Sequence, residues 1–252
     1  MNLKIIHQTK DFLVIDKPAG LVVDRSSSSK KIITLQDKLE ENFSELKRQS
    51  GEFGERSGLV HRLDKDTSGL LLVAKNELAF EKLKELFQKR KIKKEYLALA
   101  HGRLEPSKGE INFPLARSRF DRRKFGISLD GKKAKTDYEV IGFFVLNKDN
   151  KLKKGDESGV KTKEVFSFCR VFPLTGRTHQ IRIHLKQLGF PLAADEKYAG
   201  RKTSKKDSKW CPRQFLHAHK LRFKSPFNDQ ILEFASPLPE ELGSLFEKKL
   251  LR

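Results

Sequence analysis

His61-Arg-Leu-Asp-Lys-Asp-Thr-Ser-Gly69 sets a carboxylate, Asp64, between polar and cationic neighbours directly ahead of the apolar run 70–74. A polar loop at the mouth of a buried strand is where a rigid scaffold commonly holds catalytic groups. A carboxylate placed there can stabilise a developing cation, accept a proton or attack covalently. The same residues would also make a charged turn stitched by Asp and Thr side chains, and residue types alone leave both readings open. Two further segments carry complementary chemistry. Tyr96, in Lys94-Glu-Tyr-Leu-Ala-Leu99, offers a π-face for stacking and a hydroxyl for proton transfer. Arg177 precedes a stretch in which Ile181, Leu185 and Leu188 recur at i, i+4, i+7, with Thr178 as the expected N-cap and Gly189 as the stop. That spacing fixes a planar cationic fork at a helix entrance, which Lys could not reproduce.

The elements that must position these groups follow from the apolar pattern. Residues 12–16 read as a strand running into the turn Lys17-Pro-Ala-Gly20. Leu35, Leu39, Phe43 and Leu46 predict a helix, with Thr34 and Asp37 as a capping box. Residues 51–58 read as a loop, 70–74 as a buried strand, and Asn76 as the cap of a helix carrying Leu83, Leu86 and Phe87. Segments 96–100, 134–146, 164–171, 215–223 and 230–234 read as strands, and 239–252 as a C-terminal helix. Strands outnumber helices and do not alternate with them, which predicts an α+β fold with a mixed, largely antiparallel sheet. One catalytic domain over 1–252 is expected. The polar segments 147–163 and 200–208 are read as exposed loops or insertions within it.

The chain has 252 residues and a net charge of +20, from 53 Lys+Arg against 33 Asp+Glu. Such an excess calls for an anionic partner, nucleic acid first. It is locally dense in Arg117-Ser-Arg119-Phe-Asp-Arg122-Arg123-Lys124-Phe125 and in the Lys132 cluster, where cations interleave with aromatics. A second basic run spans 89–94, on a helix exit where the dipole also favours cations. Apolar runs of about five or six residues fall far short of the roughly 20 that cross a bilayer, so no membrane partner is expected. Cys169 and Cys211 stand far apart, which argues against a disulfide framework or zinc finger and for a reducing, cytoplasmic setting. His179 and His184 diverge at i, i+5, and His217 and His219 share a strand face without an evident third ligand, so no metal is expected.

Taken in order, these segments resemble the RluA-type pseudouridine synthases. His61-Arg-Leu-Asp64-x-x-Thr67-Ser-Gly-Leu-Leu-Leu72 resembles the family's signature. The segment 13–23, Lys94-Glu-Tyr96, Leu174-Thr-Gly-Arg177-Thr-His-Gln-Ile-Arg182, Gly189-Phe-Pro-Leu192 with Asp195 and Tyr198, and Leu216-His-Ala-His-Lys-Leu221 resemble its other blocks. They span roughly residues 12–237, nearly the whole chain. The resemblance implies isomerisation of uridine to pseudouridine in RNA, ribosomal first and transfer RNA second, with no cofactor because nothing is oxidised. It implies Asp64 as the catalytic carboxylate, Arg177 as its ion-pair partner and Tyr96 as the aromatic against the base. It also implies Arg62 as the side chain that fills the vacancy left by a flipped uridine. His61 and Thr67, with Arg117, Arg119, Arg122, Arg123, Lys124 and Lys132, fall with the RNA-contacting residues. A monomer without a separate N-terminal RNA-binding domain is expected. After Val23 the family commonly shows His, where this chain has Asp24. The rivals are a catalytically silent RNA-binding protein of the same fold, and a hydrolase using Asp64 with Asp66, which lacks an evident second cleft carboxylate.

Overall fold

Leu13, Val14 and Ile15 are all fully buried, as is every residue of the next strand, so two adjacent strands are covered on both faces and alternation disappears. In the computed structural model, residues 3–25, 32–47, 50–119, 121–122, 124–155 and 164–247 are described. The elements run β1 (Lys4–Gln8), β2 (Phe12–Lys17), α1 (Leu35–Asn42), α2 (Gly51–Glu55), β3 (Ser68–Ala74) and α3 (Glu77–Gln88). Then follow β4 (Lys93–His101), β5 (Lys108–Ile111), β6 (Leu115–Arg117), β7 (Phe125–Ile127), β8 (Thr136–Leu146), β9 (Leu152–Lys154) and β10 (Val165–Pro173). The last are α4 (Gln180–Gln187), α5 (Arg201–Asp207), β11 (Leu216–Lys224), β12 (Ile231–Ala235) and α6 (Glu240–Gly243). The fold is α+β, with mostly antiparallel strand pairing. It divides into two compact units: the chain up to Lys94 with Ala218–Ser236, and Glu95–His217 with the segment from Pro237.

In the first unit the strand order is β1, β2, β3, β11, β12. The Thr34 hydroxyl accepts from the Asp37 N–H at 3.3 Å and the Asp37 carboxylate accepts from the Thr34 N–H at 2.7 Å, the capping box that the sequence predicts. The helix ends at Asn42, and Phe43 turns extended into a 3₁₀ turn at Ser44–Leu46 that still buries Leu46. Residues 51–55 form a short helix rather than the expected loop, because Phe53 has a buried place against Phe80, with ring centroids 5.9 Å apart. The Asn76 side chain accepts from the Ala79 N–H at 2.9 Å and starts α3.

In the second unit the order is β4, β10, β8, β5, with β9 paired to β8 and a separate hairpin of β6 and β7. Phe144, Phe166, Phe168, Trp210, Phe215 and Phe246 build one aromatic core. Three expectations are corrected here. The N-cap of α4 is His179, in the left-handed region at φ 55°, and not Thr178. Segment 200–208 is largely the helix α5, whose Asp207 is buried. The C-terminal helix stops at Gly243, because the Leu245 carbonyl and the Glu247 N–H bond to Leu152 instead (2.7 and 3.1 Å) and lay the chain along β9. Segment 147–155 returns as the β8–β9 hairpin; 156–163 lies outside the described residues. Gly189, at φ +92°, closes α4 as expected: its N–H reaches the Lys186 carbonyl and the Phe190 N–H reaches that of Leu185, both at 3.0 Å.

Candidate active site

Asp64 sits half-buried on the loop that enters β3, and the first unit fixes that loop from beneath. Lys17, at the end of β2, is 0% exposed. Its ammonium donates to the carbonyls of Pro18 (2.8 Å), Leu21 (2.9 Å) and Lys65 (2.9 Å). Three charge-assisted bonds replace the water that a buried cation loses. One of them grips the carbonyl of Lys65, the residue immediately after Asp64. The Thr67 N–H donates to the Asp64 carbonyl at 3.2 Å and closes the turn, and Thr67 itself is 2% exposed. At Gly69, φ is +112° and an added Cβ would lie 2.2 Å from the Ala218 carbonyl oxygen, so no other residue fits where the loop becomes strand.

His61 turns into the fold. Its Nε2 accepts the Leu72 N–H at 2.9 Å and its ring stacks on Phe87 with centroids 4.4 Å apart. Burial, with the Lys94 and Arg56 cations nearby, pushes the imidazole down to about 3, so it remains a neutral acceptor. Above about pH 6.5 this ring is uncharged whether the chain is folded or not. As pH falls from there toward 3 the unfolded chain takes the proton first, so stability should drop, by up to about 1.4 kcal/mol per pH unit. Melting temperatures recorded from pH 7 to 4 should therefore fall less steeply for His61→Gln than for the native chain. Equal slopes would remove His61 as a cause. Lys94 belongs to the basic run 89–94, yet it is half-buried, and burial pushes its ammonium down to about 8.

Arg62 points outward and pairs with the Asp24 carboxylate. The residue that departs from the family pattern thus holds the side chain expected to enter the RNA. Sequence reasoning marked Asp24 only as a departure and took Lys17 as part of a turn. A Lys beside Pro at the end of a strand that opens with four apolar residues was the available signal for burial.

In the second unit Tyr96 lies on β4 opposite Val171 of β10, half-buried against the cluster of Ala98, Tyr138, Val171 and Ile181. Arg177 is exposed; its Nε donates to the Lys133 carbonyl at 3.2 Å. Its backbone is set by Gln180, 4% exposed, whose Oε1 accepts from the Arg177 N–H (3.0 Å) and the Thr175 hydroxyl (2.6 Å). The Gln180 amide donates to the Lys135 carbonyl (2.9 Å) and to Thr136 Oγ1 (2.8 Å), so the buried side chain is satisfied and the arginine loop is tied to β8. Gln180 was visible in the motif, but its residue type did not set it apart there from the polar residues Thr178, His179 and Arg182 around it.

Arg177, Arg117 and Lys132 line one cavity of about 450 Å³ together with Phe125 and Asp130. The Arg117 guanidinium lies 5.0 Å from the Phe125 ring centroid and donates to the Arg122 carbonyl at 2.8 Å. Arg119, Arg122 and Lys124 are exposed, Arg119 4.0 Å from Asp130; Arg123 lies outside the described residues. Three cations and an aromatic edge around an open cavity suit a phosphate next to a base.

Among the described residues the cluster with metal-ligand chemistry is His101, Glu164 and Asp207. Both imidazole nitrogens already face carboxylates, Nε2 to Asp207 at 2.8 Å and Nδ1 to Glu164 at 3.3 Å, and the Lys206 ammonium sits 2.6 Å from Glu164. These contacts link the three side chains and Lys206 in one polar network. His184 is held between Thr136 Oγ1 (2.9 Å) and the Phe113 carbonyl (3.1 Å), and His219 Nδ1 lies 2.6 Å from the Ser236 carbonyl. No helix among the described residues is long and apolar enough to cross a membrane.

The family model for RNA pseudouridylate synthase matches residues 11–187. An uncharacterized RNA pseudouridine synthase of Bacillus subtilis (strain 168) is 36% identical over 98% of this chain and 73% of its own length. A ribosomal large subunit pseudouridine synthase D of Nitrosomonas europaea is 37% identical over 97% of this chain, which spans 64% of that relative. Among solved structures, human RNA pseudouridylate synthase domain containing 1 superposes with a TM-score of 0.71 at 27% identity, covering 97% of this chain and 87% of that one.

Proposed function

The chain belongs to the RNA pseudouridylate synthase family, as an RNA pseudouridine synthase and hence an isomerase, and we propose that it converts uridines of structured ribosomal RNA through the Asp64 carboxylate. The observation that carries this reading is the clamp on the Asp64 loop. A fully buried ammonium on the Lys65 carbonyl, a turn closed by Thr67 and a glycine with no room for a side chain leave Asp64 little freedom. Fixed placement is what a carboxylate needs to meet a sugar carbon that becomes positive only as the glycosidic bond breaks. The uracil released from that carbon turns and rejoins through carbon 5, which then loses its proton, so uridine and product have the same atoms. Tyr96 lies against the base, and its hydroxyl is within the chemistry of that last proton transfer. Arg177 is the residue that the family resemblance assigns to the carboxylate as its partner.

A uridine in a stem must leave the stack before Asp64 can reach its sugar. Arg62 takes the vacated position, where its guanidinium plane stacks on the neighbouring bases. RNA must first displace it from Asp24, and the phosphates that do so meet a guanidinium already held at the surface by one exposed ion pair of small net worth. Arg117, Lys132 and the exposed Arg119, Arg122 and Lys124 hold phosphates without reading sequence, with Arg123 in the same stretch.

Ribosomal RNA is favoured because curated relatives of similar identity are named for the large ribosomal subunit. Purified protein incubated with protein-free large-subunit ribosomal RNA, and separately with bulk transfer RNA, should form pseudouridine in the first at discrete positions. Product confined to transfer RNA would overturn the substrate reading while leaving the isomerase intact.

A further inference from the structure

Several cations on this surface come with acids: Arg25 with Asp37 and Glu40, Lys84 with Glu52, Lys108 with Glu139, Lys224 with Asp229. The α5 segment concentrates cations most of which do not. Arg201, Lys202, Lys205, Lys206 and Lys209 are all exposed, and among the described residues only Lys206 is ion-paired, with Glu164. The one acid of the segment, Asp207, faces inward instead. Fully buried, it accepts from the Ala194 N–H at 2.8 Å and lies 2.8 Å from His101 Nε2. A buried carboxylate thus fixes the helix by its inner face while its outer face is left with four unneutralised charges. Self-repulsion among them costs stability, which argues for an anionic ligand that offsets it.

The other end of α5 ties this face to the cavity. The Tyr198 hydroxyl accepts the Phe125 N–H at 3.2 Å and lies 2.8 Å from His179 Nδ1, and Arg182 and Asp195 hold the same corner by two bonds of 2.8 Å. Arg201 is three residues on from Tyr198, so α5 begins within about 11 Å of that tyrosine. The helix then runs on for roughly 10 Å. We propose that α5 is a second RNA-contacting surface, its cations lying against phosphates of the strand that continues past the cavity lined by Arg117, Lys132 and Arg177. The inference rests on RNA being the substrate, and it assigns to the 200–208 segment the task of gripping RNA beyond the target nucleotide.

The test is the salt dependence of binding of the full chain to a long stem-loop RNA. Each phosphate contact contributes about 0.7 to 0.9 to the slope of log affinity against log salt. Lys202→Gln/Lys205→Gln/Lys209→Gln should therefore lower the slope by roughly 2 to 3 and weaken binding about tenfold or more near physiological salt. Gln keeps helix propensity, and the matching triple substitution to Arg should restore the slope. The double variant Arg222→Gln/Lys224→Gln, on a face whose cations are paired with Glu233 and Asp229, should leave it unchanged. An undiminished slope in the Gln triple variant, or an equal loss in the double variant, overturns the proposal. Pseudouridine measured in the same samples separates the two readings: a lowered slope in a chain that modifies no RNA sinks the substrate reading alone, and a full slope in an active triple variant sinks the α5 surface alone.

Discussion

Asp64→Asn is expected to fold, to bind RNA with native affinity and salt dependence, and to form no measurable pseudouridine. The substitution is nearly isosteric. The contacts that hold the loop run through the backbone of residues 64 and 65 and through Thr67 and Gly69, so they survive it. What disappears is the negative charge and the nucleophilic oxygen, which on the present account act only as the glycosidic bond opens. Loss of a group that acts in the transition state typically costs on the order of 10⁴-fold or more in turnover, with little change in binding. A loss of affinity matching the loss of rate would assign Asp64 to RNA binding instead.

Lys17→Met should damage stability and turnover together. Met keeps most of the length and the apolar stem but strips the carbonyls of Pro18, Leu21 and Lys65 of their shared donor. Charge-assisted bonds of this kind are worth about 1.5–3 kcal/mol each, and buried acceptors left bare add a penalty, so a net loss of roughly 3–5 kcal/mol is expected. For a protein of this size that is a fall in melting temperature on the order of 10 °C. Below the new transition the variant should still turn over poorly, because the peptide after Asp64 has lost its anchor. Melting followed by circular dichroism and turnover at low temperature check the two effects separately. A Lys17→Met chain with native turnover would show that the clamp supports the fold but not the reaction.

The elements that surround these groups could be read from pattern wherever local chemistry was complete. The capping box at Thr34 and Asp37, the Asn76 cap, the Schellman turn at Gly189 and the continuous burial of 70–74 all have short-range causes. Failures came where a distant partner decided the outcome. Residues 244–247 carry a plausible helical stripe, but Leu152 supplies backbone partners that an isolated helix cannot match. Segment 200–208 is polar enough for a loop, and only the pocket formed by His101 and the Ala194 N–H makes Asp207 the inner face of a helix. At the candidate site Asp64, Tyr96 and Arg177 stood out by type and motif. Their supports, Lys17, Gln180 and Asp24, did not, because their effect comes from carbonyls, amides and a guanidinium that are remote in sequence.

The most direct test is nucleoside chromatography of large-subunit ribosomal RNA digested after incubation with the native protein or with Asp64→Asn at equal RNA occupancy. The account predicts pseudouridine in amounts matching discrete sites with the native chain, and none above background with the variant. Equal pseudouridine from both proteins would contradict it.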